Sequence, residues 1–217
     1  MNTVYEAFTQ AGRCGEDLPF LCVPACPQRS YLPQGAEFTY GQAARHVEVL
    51  ASRYRGAGYG PGHRVALILG NQPDHFWHLL ALNSIGACAV LLNPEYLPHE
   101  FAYALVQAEA ALAVVAPQYV KTVSEAARDL AHPCPLQVVG DDLGPLPRPG
   151  RDLRTANAHP LDREALIIFT SGTTGRPKGC IITNRSCLAS GECYAGAGGL
   201  LSMDVGRGRV YVPLPTF

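Results

Sequence analysis

Charge is scarce in this chain. Asp, Glu, Lys and Arg supply 16% of its 217 residues and nearly cancel, leaving a net charge of −1. A binder of nucleic acid or of an anionic membrane relies on an excess of Lys and Arg, so neither partner is expected. No apolar run is long enough to cross a bilayer. The opening M-N-T-V-Y-E lacks the basic and then apolar segments of a secretory signal. Internal repeats, low-complexity tracts and charge blocks are missing too. The chain therefore reads as a soluble cytoplasmic protein without a transmembrane segment, and nothing in it specifies an oligomeric state.

Metal and disulfide signatures are also lacking. There are eight cysteines, at 14, 22, 26, 88, 134, 180, 187 and 193, but no C-x-x-C pair and no Cys/His spacing of a zinc site. Free thiols in a reducing compartment are the expectation. Cys88 and Cys180, within or beside apolar runs, read as small core residues. Asp74, His75 and His78 lie within one helical turn and could touch one ion, yet no third ligand follows at a helpful spacing. They read as ordinary surface groups near a helix start. Asp141 and Asp142 are adjacent, point apart, and fall in a turn-rich stretch.

Apolar side chains, in contrast, make up 47% of the chain, which suits an α/β protein with a buried sheet. Residues 1–38 read as irregular, interrupted by Pro19, Pro24, Pro27 and Pro33. Thr39 precedes a helical pattern carrying Ala43, Val47, Leu50, Ala51 and Tyr54 on one face, stopped by Gly56, Gly58 and Gly60. Apolar runs at 64–69, 88–92, 112–115 and 136–139 read as strands. Helices at 73–85 (with Phe76, Trp77 and Leu80 as core), 98–109 and 120–131 alternate with them. Such alternation predicts a mostly parallel sheet flanked by helices, with right-handed crossovers. Residues 141–160 are proline-rich and read as a connection between a first α/β portion, 1–140, and a second portion, 161–217. Strands are expected at 165–169, 180–183 and 209–212, and a helix from 186 to 192 or beyond.

Between two of those apolar runs, residues 170–179 read T-S-G-T-T-G-R-P-K-G. Thr170, Ser171, Thr173 and Thr174 supply hydroxyls, Lys178 a cation, and Gly172, Gly175 and Gly179 backbone freedom. Backbone N–H groups, hydroxyls and an ammonium group converging on one spot suit a polyanion, phosphate above all. This is not a Walker A loop, because Pro177 precedes Lys178 and Gly179 follows it. Nor does it fit G-x-G-x-x-G.

Almost position for position, these ten residues resemble the phosphate loop of the adenylate-forming superfamily of acyl-CoA synthetases, luciferases and peptide-synthetase adenylation domains. The likeness extends to F-T-Y at 38–40 and to S-I-G-A-C-A-V-L-L-N-P at 84–94. It also covers N-P-E-Y-L-P-H-E at 93–100 and V-P-L-P-T-F at 212–217. Leu97 stands where a Thr usually caps the next helix, a loss of about 1 kcal/mol, while Glu100 still favours that helix N-terminus. The 93–100 segment and the P-L-P-x-F ending resemble the acyl-CoA ligase version. I-I-F-T-S-G-T-T-G at 167–175 bears a looser resemblance to ligases of the crotonobetaine/carnitine-CoA type.

The resemblance implies the large N-terminal domain of an enzyme using ATP, Mg2+ and coenzyme A. A carboxylic acid substrate would attack the α-phosphate of ATP, and the CoA thiol would then displace AMP from the acyl-adenylate. Ser171, Thr173, Thr174 and Lys178 would surround the β- and γ-phosphates, with Thr170 beside them and Gly172 and Gly175 permitting close backbone approach. Pro177 would bias Arg176 towards an extended conformation, with its side chain in solvent. The family places its adenine-binding segment, magnesium-binding acid, ribose-binding aspartate and C-terminal catalytic lysine later. The chain is thus expected to be an N-terminal fragment, inactive alone, with no catalytic or metal-binding residue of its own. The alternative readings are a non-catalytic phosphate-binding or interaction module and a peptide-synthetase-type adenylation domain.

Overall fold

The computed structural model describes residues 1–140, 144–149, 158–170, 176–199, 208 and 210. The prolines of the first 38 residues do not prevent regular structure. Helix α1 spans Val4–Arg13, with the Thr3 hydroxyl accepting the Glu6 N–H at 3.0 Å as an N-cap. Strands β1 (Pro19–Val23) and β2 (Ala36–Thr39) pair antiparallel. Pro19 is tolerated because it is the first residue of its strand. Phe8, Phe20 and Tyr40 pack together with centroids 5.1 to 5.7 Å apart, so α1 and the ribbon share one aromatic cluster.

Helix α2 (Tyr40–Ala57) begins at a capping box. Thr39 Oγ1 accepts from Gln42 N–H, and Gln42 Oε1 accepts from Thr39 N–H. It ends at Gly58, whose φ of +96° is the left-handed cap that glycine adopts without a Cβ clash. Ala43, Val47, Leu50, Ala51 and Tyr54 are buried, as the periodicity predicts.

A six-stranded sheet follows. Its strands are β3 (Arg64–Ile68), β4 (Cys88–Leu91), β5 (Leu112–Val115), β6 (Leu136–Val138), β7 (Glu164–Thr170) and β8 (Lys178–Thr183), in the order β6-β5-β3-β4-β7-β8. All neighbours are parallel except β7 and β8. β3, β4 and β5 are joined by α3 (Pro73–Ser84) and α4 (Pro98–Gln107). A 3-10 turn at Pro117–Tyr119 and α5 (Val120–Ala127) lead on to β6. The last helix, α6 (Asn184–Gly196), starts two residues earlier than the sequence indicates and runs to Gly196.

Alternate residues of the central strands feed two cores. Val65, Leu67, Ala89, Leu91, Leu112 and Val114 face α2 and α3. Ala66, Ile68, Val90, Ala113, Val115 and Ile167 face α4 and α5. A sheet covered on both faces is what continuous apolar runs encode. Because β4 pairs with β7, from Ala89↔Leu166 to Leu91↔Ile168, the sheet continues across the proline-rich connection. Described parts of that connection touch the first portion: Tyr59 OH donates to the Pro147 carbonyl at 3.0 Å, and Arg53 donates to the Gly144 carbonyl.

One strand departs from expectation. β8 is an exposed strand, not a buried one, and Cys180 within it is exposed rather than core. Cys88 is buried as expected, and burial raises its thiol pKa. All eight cysteines are free thiols. No helix among the described residues is long and apolar enough to cross a membrane.

Candidate functional site

The carboxyl ends of β3, β4, β5 and β7 lie along one edge of the sheet, the edge where open parallel sheets place ligands. β7 ends there at Thr170 and β8 begins there at Lys178. The two residues face each other in register, so residues 171–177 bridge the ends of an antiparallel ladder. Ser171, Gly172, Thr173, Thr174 and Gly175 lie outside the described residues. Of the expected phosphate-loop residues, the structure thus places Thr170 and Lys178, one on each stem. Both are exposed.

The stems are shaped by their neighbours. A Cβ on Gly179 would sit 3.2 Å from Ile167 Cγ2 and 3.3 Å from Phe169 Cζ, so a larger residue would require those side chains to give by a few tenths of an ångström. Thr170 Oγ1 and Cys180 Sγ lie 3.7 Å apart across the ladder. Arg176 is exposed, as expected, but it is not free in solvent. Its guanidinium carbon lies over the ring of Tyr103 on α4, 5.7 Å from the centroid.

The segment after β4 lies on the strand next to β7. Asn93 Oδ1 accepts the Glu95 N–H at 3.0 Å, making a side-chain turn, and the Asn93 carbonyl accepts the Tyr96 N–H at 3.2 Å. Leu97 forms no side-chain cap, but Glu100 Oε2 reaches back to accept the Leu97 N–H at 2.7 Å. Half of a capping box therefore survives, and it comes from Glu100. Tyr96 then sets its ring edge-on to Phe101 at 5.7 Å. Two of the segments singled out in the sequence thus lie along one edge of the sheet. F-T-Y at 38–40 does not join them, since it caps α2 and packs Phe38 on Trp77. V-P-L-P-T-F at 212–217 and Asp141 and Asp142 lie outside the described residues, as does the strand expected at 209–212 except for Val210, which is exposed and in no regular element.

His75 and His78 are not surface groups. Both are buried on α3, and burial lowers their pKa values to about 4 and about 3 respectively. The Nδ1 of His78 lies 2.7 Å from Tyr54 OH, an interaction within the core. Desolvation also raises the pKa of Asp74. Among the described residues no three His, Cys, Asp or Glu side chains converge on a metal position.

Residues 18–217 match the family model described as "AMP-binding enzyme". The chain belongs to that family. It is 35% identical over 152 residues to a feruloyl-CoA synthase of Amycolatopsis sp, covering 69% of this chain and 29% of that one. A sulfoacetate–CoA ligase of Cupriavidus necator is 31% identical over 174 residues, covering 76% of this chain and 34% of that protein. The chain thus spans about a third of the length of these two relatives. Among solved structures, a long-chain-fatty-acid–CoA ligase of Archaeoglobus fulgidus superposes with a TM-score of 0.74 at 22% identity. That likeness covers 89% of this chain and 39% of that one. At that identity it speaks for the fold, a mostly parallel α/β sheet flanked by helices.

Proposed function

We propose that the protein activates a carboxylic acid with ATP, forming an acyl-adenylate and pyrophosphate, and passes the acyl group to the thiol of coenzyme A. One observation carries the reading. The T-S-G-T-T-G-R-P-K-G segment, in a chain of the AMP-binding family, spans the β7–β8 stems at the carboxyl edge of the sheet. Names of relatives that end in CoA ligase or CoA synthase support the choice of thiol.

In this reading residues 170–178 hold the leaving group. Attack of the carboxylate oxygen on the α-phosphorus breaks the bond to the β-phosphate bridging oxygen, and negative charge grows on the departing pyrophosphate. Cations and fixed hydrogen-bond donors aimed at that charge lower the barrier without reorganising. Lys178 supplies an ammonium group, and Thr170, Ser171, Thr173 and Thr174 supply hydroxyls. Gly172 and Gly175 allow backbone amides to approach the phosphates. Mg2+ accompanying the nucleotide would neutralise phosphate charge. Residues 1–140 and 161–217 would act as the scaffold and the loop portion of the family's N-terminal domain, with 141–160 connecting them.

Titration of the chain with pyrophosphate, followed by calorimetry, tests the loop reading. Lys178→Ala is expected to weaken binding about 10- to 100-fold, the range of a lost charged hydrogen bond. Equal affinity in the two proteins would overturn it. Pyrophosphate binding in a full-length enzyme that fails to exchange ATP with pyrophosphate would instead favour a non-catalytic phosphate-binding module.

A further inference from the structure

We propose that Tyr103 is a positioning residue for the phosphate loop, holding its C-terminal stem through Arg176. The inference rests on the reading of residues 170–178 as that loop.

The loop leaves β7 at Thr170 and rejoins the sheet at Lys178, and the ladder fixes those two ends. Arg176 reaches out of the hairpin to α4, where its guanidinium carbon lies 5.7 Å from the Tyr103 ring centroid, within cation–π range. Pro177 follows with its restricted φ, so placing Arg176 also restricts the approach to Lys178. Tyr103 is half-buried, on a helix locked to the sheet by Phe101, Ala104 and Leu105. The ring is therefore a rigid anchor for an exposed side chain.

α4 also begins in the other segment found at this edge. Glu100 bonds the Leu97 N–H, and Tyr96 packs on Phe101. Through Tyr103 the phosphate loop and the turn after β4 share one support.

Amide hydrogen exchange at Arg176, Lys178 and Gly179 tests the proposal directly, in the unmodified chain and in Tyr103→Phe, Tyr103→Leu, Arg176→Ala and the Tyr103→Leu/Arg176→Ala double variant. Phe keeps the ring face, so Tyr103→Phe is expected to retain the original protection. Tyr103→Leu should speed exchange about two- to five-fold, the range of an exposed cation–π contact. Arg176→Ala should do the same, and the double variant should be no faster than either single one. Additive effects in the double variant would overturn the proposal, because Tyr103 would then act through packing and not through Arg176. Unchanged exchange in Tyr103→Leu would overturn it as well.

Pyrophosphate affinity provides a second readout. Tyr103→Leu should weaken binding two- to five-fold, with no further loss in the Arg176→Ala background. If the unmodified chain ignores pyrophosphate while the exchange results hold, the tether stands and the phosphate reading fails. If pyrophosphate binds but exchange does not respond to Tyr103→Leu, the phosphate reading stands and the tether fails.

Discussion

The centre of the sheet and its β8 end are stabilised in different ways. β3, β4 and β5 are buried almost residue by residue, between α2 and α3 on one face and α4 and α5 on the other. β8 is exposed along its first four residues, and Asn184 alone is buried on α6. Burial of apolar area secures the first region. The second is secured by its ladder with β7 and by polar clamps. Arg64 reaches Glu164 at the start of β7 with two hydrogen bonds, at 2.7 and 2.6 Å. Arg185 on α6 bonds Asp162 at 2.8 Å. The stems at Thr170 and Lys178 thus stand where a dry core gives way to an exposed strand pair. Binding elements that adjust to a ligand are drawn from such lower-stability regions.

The sharpest test sets one side chain from each region against the other. Phe101 is fully buried on α4, and Phe101→Ala should cost about 3–5 kcal/mol. Ile181 on β8 is 52% exposed, and Ile181→Ser should change stability by less than about 0.5 kcal/mol. Urea unfolding of both variants checks the pair, and equal losses would erase the distinction between the regions. Acid should strike the buried region next. With His75 and His78 held below their ordinary pKa, the unfolded chain takes up protons near pH 6.5 while the folded chain does not. Their contribution is intact above pH 6.5 and is lost as pH falls below it. Between pH 7 and 5.5 the two together should cost about 2–3 kcal/mol. Unfolding midpoints across that window measure it, and a His78→Phe variant should flatten the slope.

The fold was legible where burial followed from local pattern. Continuous apolar runs marked β3, β4 and β5, and Thr39 with Gly58 marked the ends of α2. It was less legible where burial depends on what lies across a face. Lys178–Thr183 carries Cys180, Ile181 and Ile182, as apolar as a core strand, yet only its pairing with β7 is fixed by those residues. His75 and His78 were misjudged for a related reason. α3 is buried on most of its circumference, through His75, Trp77, His78, Leu80, Ala81, Leu82 and Asn83, so polar identity did not mark an outer face. Prolines in the first 38 residues obscured α1, although Thr3 ahead of Glu6 carried a cap signal. For the site, the T-S-G-T-T-G-R-P-K-G string is legible as chemistry from residue types alone. Its tether is not, because Tyr103 and Arg176 are 73 positions apart and meet only once α4 packs beside β7.

Removing the polar clamps should reveal how the exposed region is held. Arg64 is mostly buried, bonds both Glu164 oxygens, donates to the Ala108 carbonyl at 3.2 Å, and lies 3.7 Å from Glu109. Arg64→Leu leaves those carboxylates without their guanidinium and should cost about 2–3 kcal/mol, discounted for the part of Glu164 that water reaches. Adding Glu164→Leu should recover part of that loss in urea unfolding, because the stranded charge is then gone.

A smaller loss than the clamp's is expected at a buried amide pair that links three helices. Asn184 Oδ1 accepts from Val4 N–H at 3.0 Å and from Asn83 Nδ2 at 2.9 Å, while its own Nδ2 donates to the Pro160 carbonyl at 3.0 Å. Asn83 Oδ1 in turn accepts the Tyr5 N–H at 2.8 Å. Val4 and Tyr5 open α1, where backbone N–H groups have no partner within the helix, so the two asparagines cap α1 from outside. Asn184→Ala strands the Val4 donor and one Asn83 donor, at about 1–2 kcal/mol in all. The location of the loss is more informative than its size. If these amides tie α1 to the start of α6, hydrogen exchange should quicken at Val4 and Tyr5 while Leu67 and Val114 keep their protection. Equal quickening at those strands would mean that α1 and the β8 end unfold together with the core, and that the two regions are one cooperative unit.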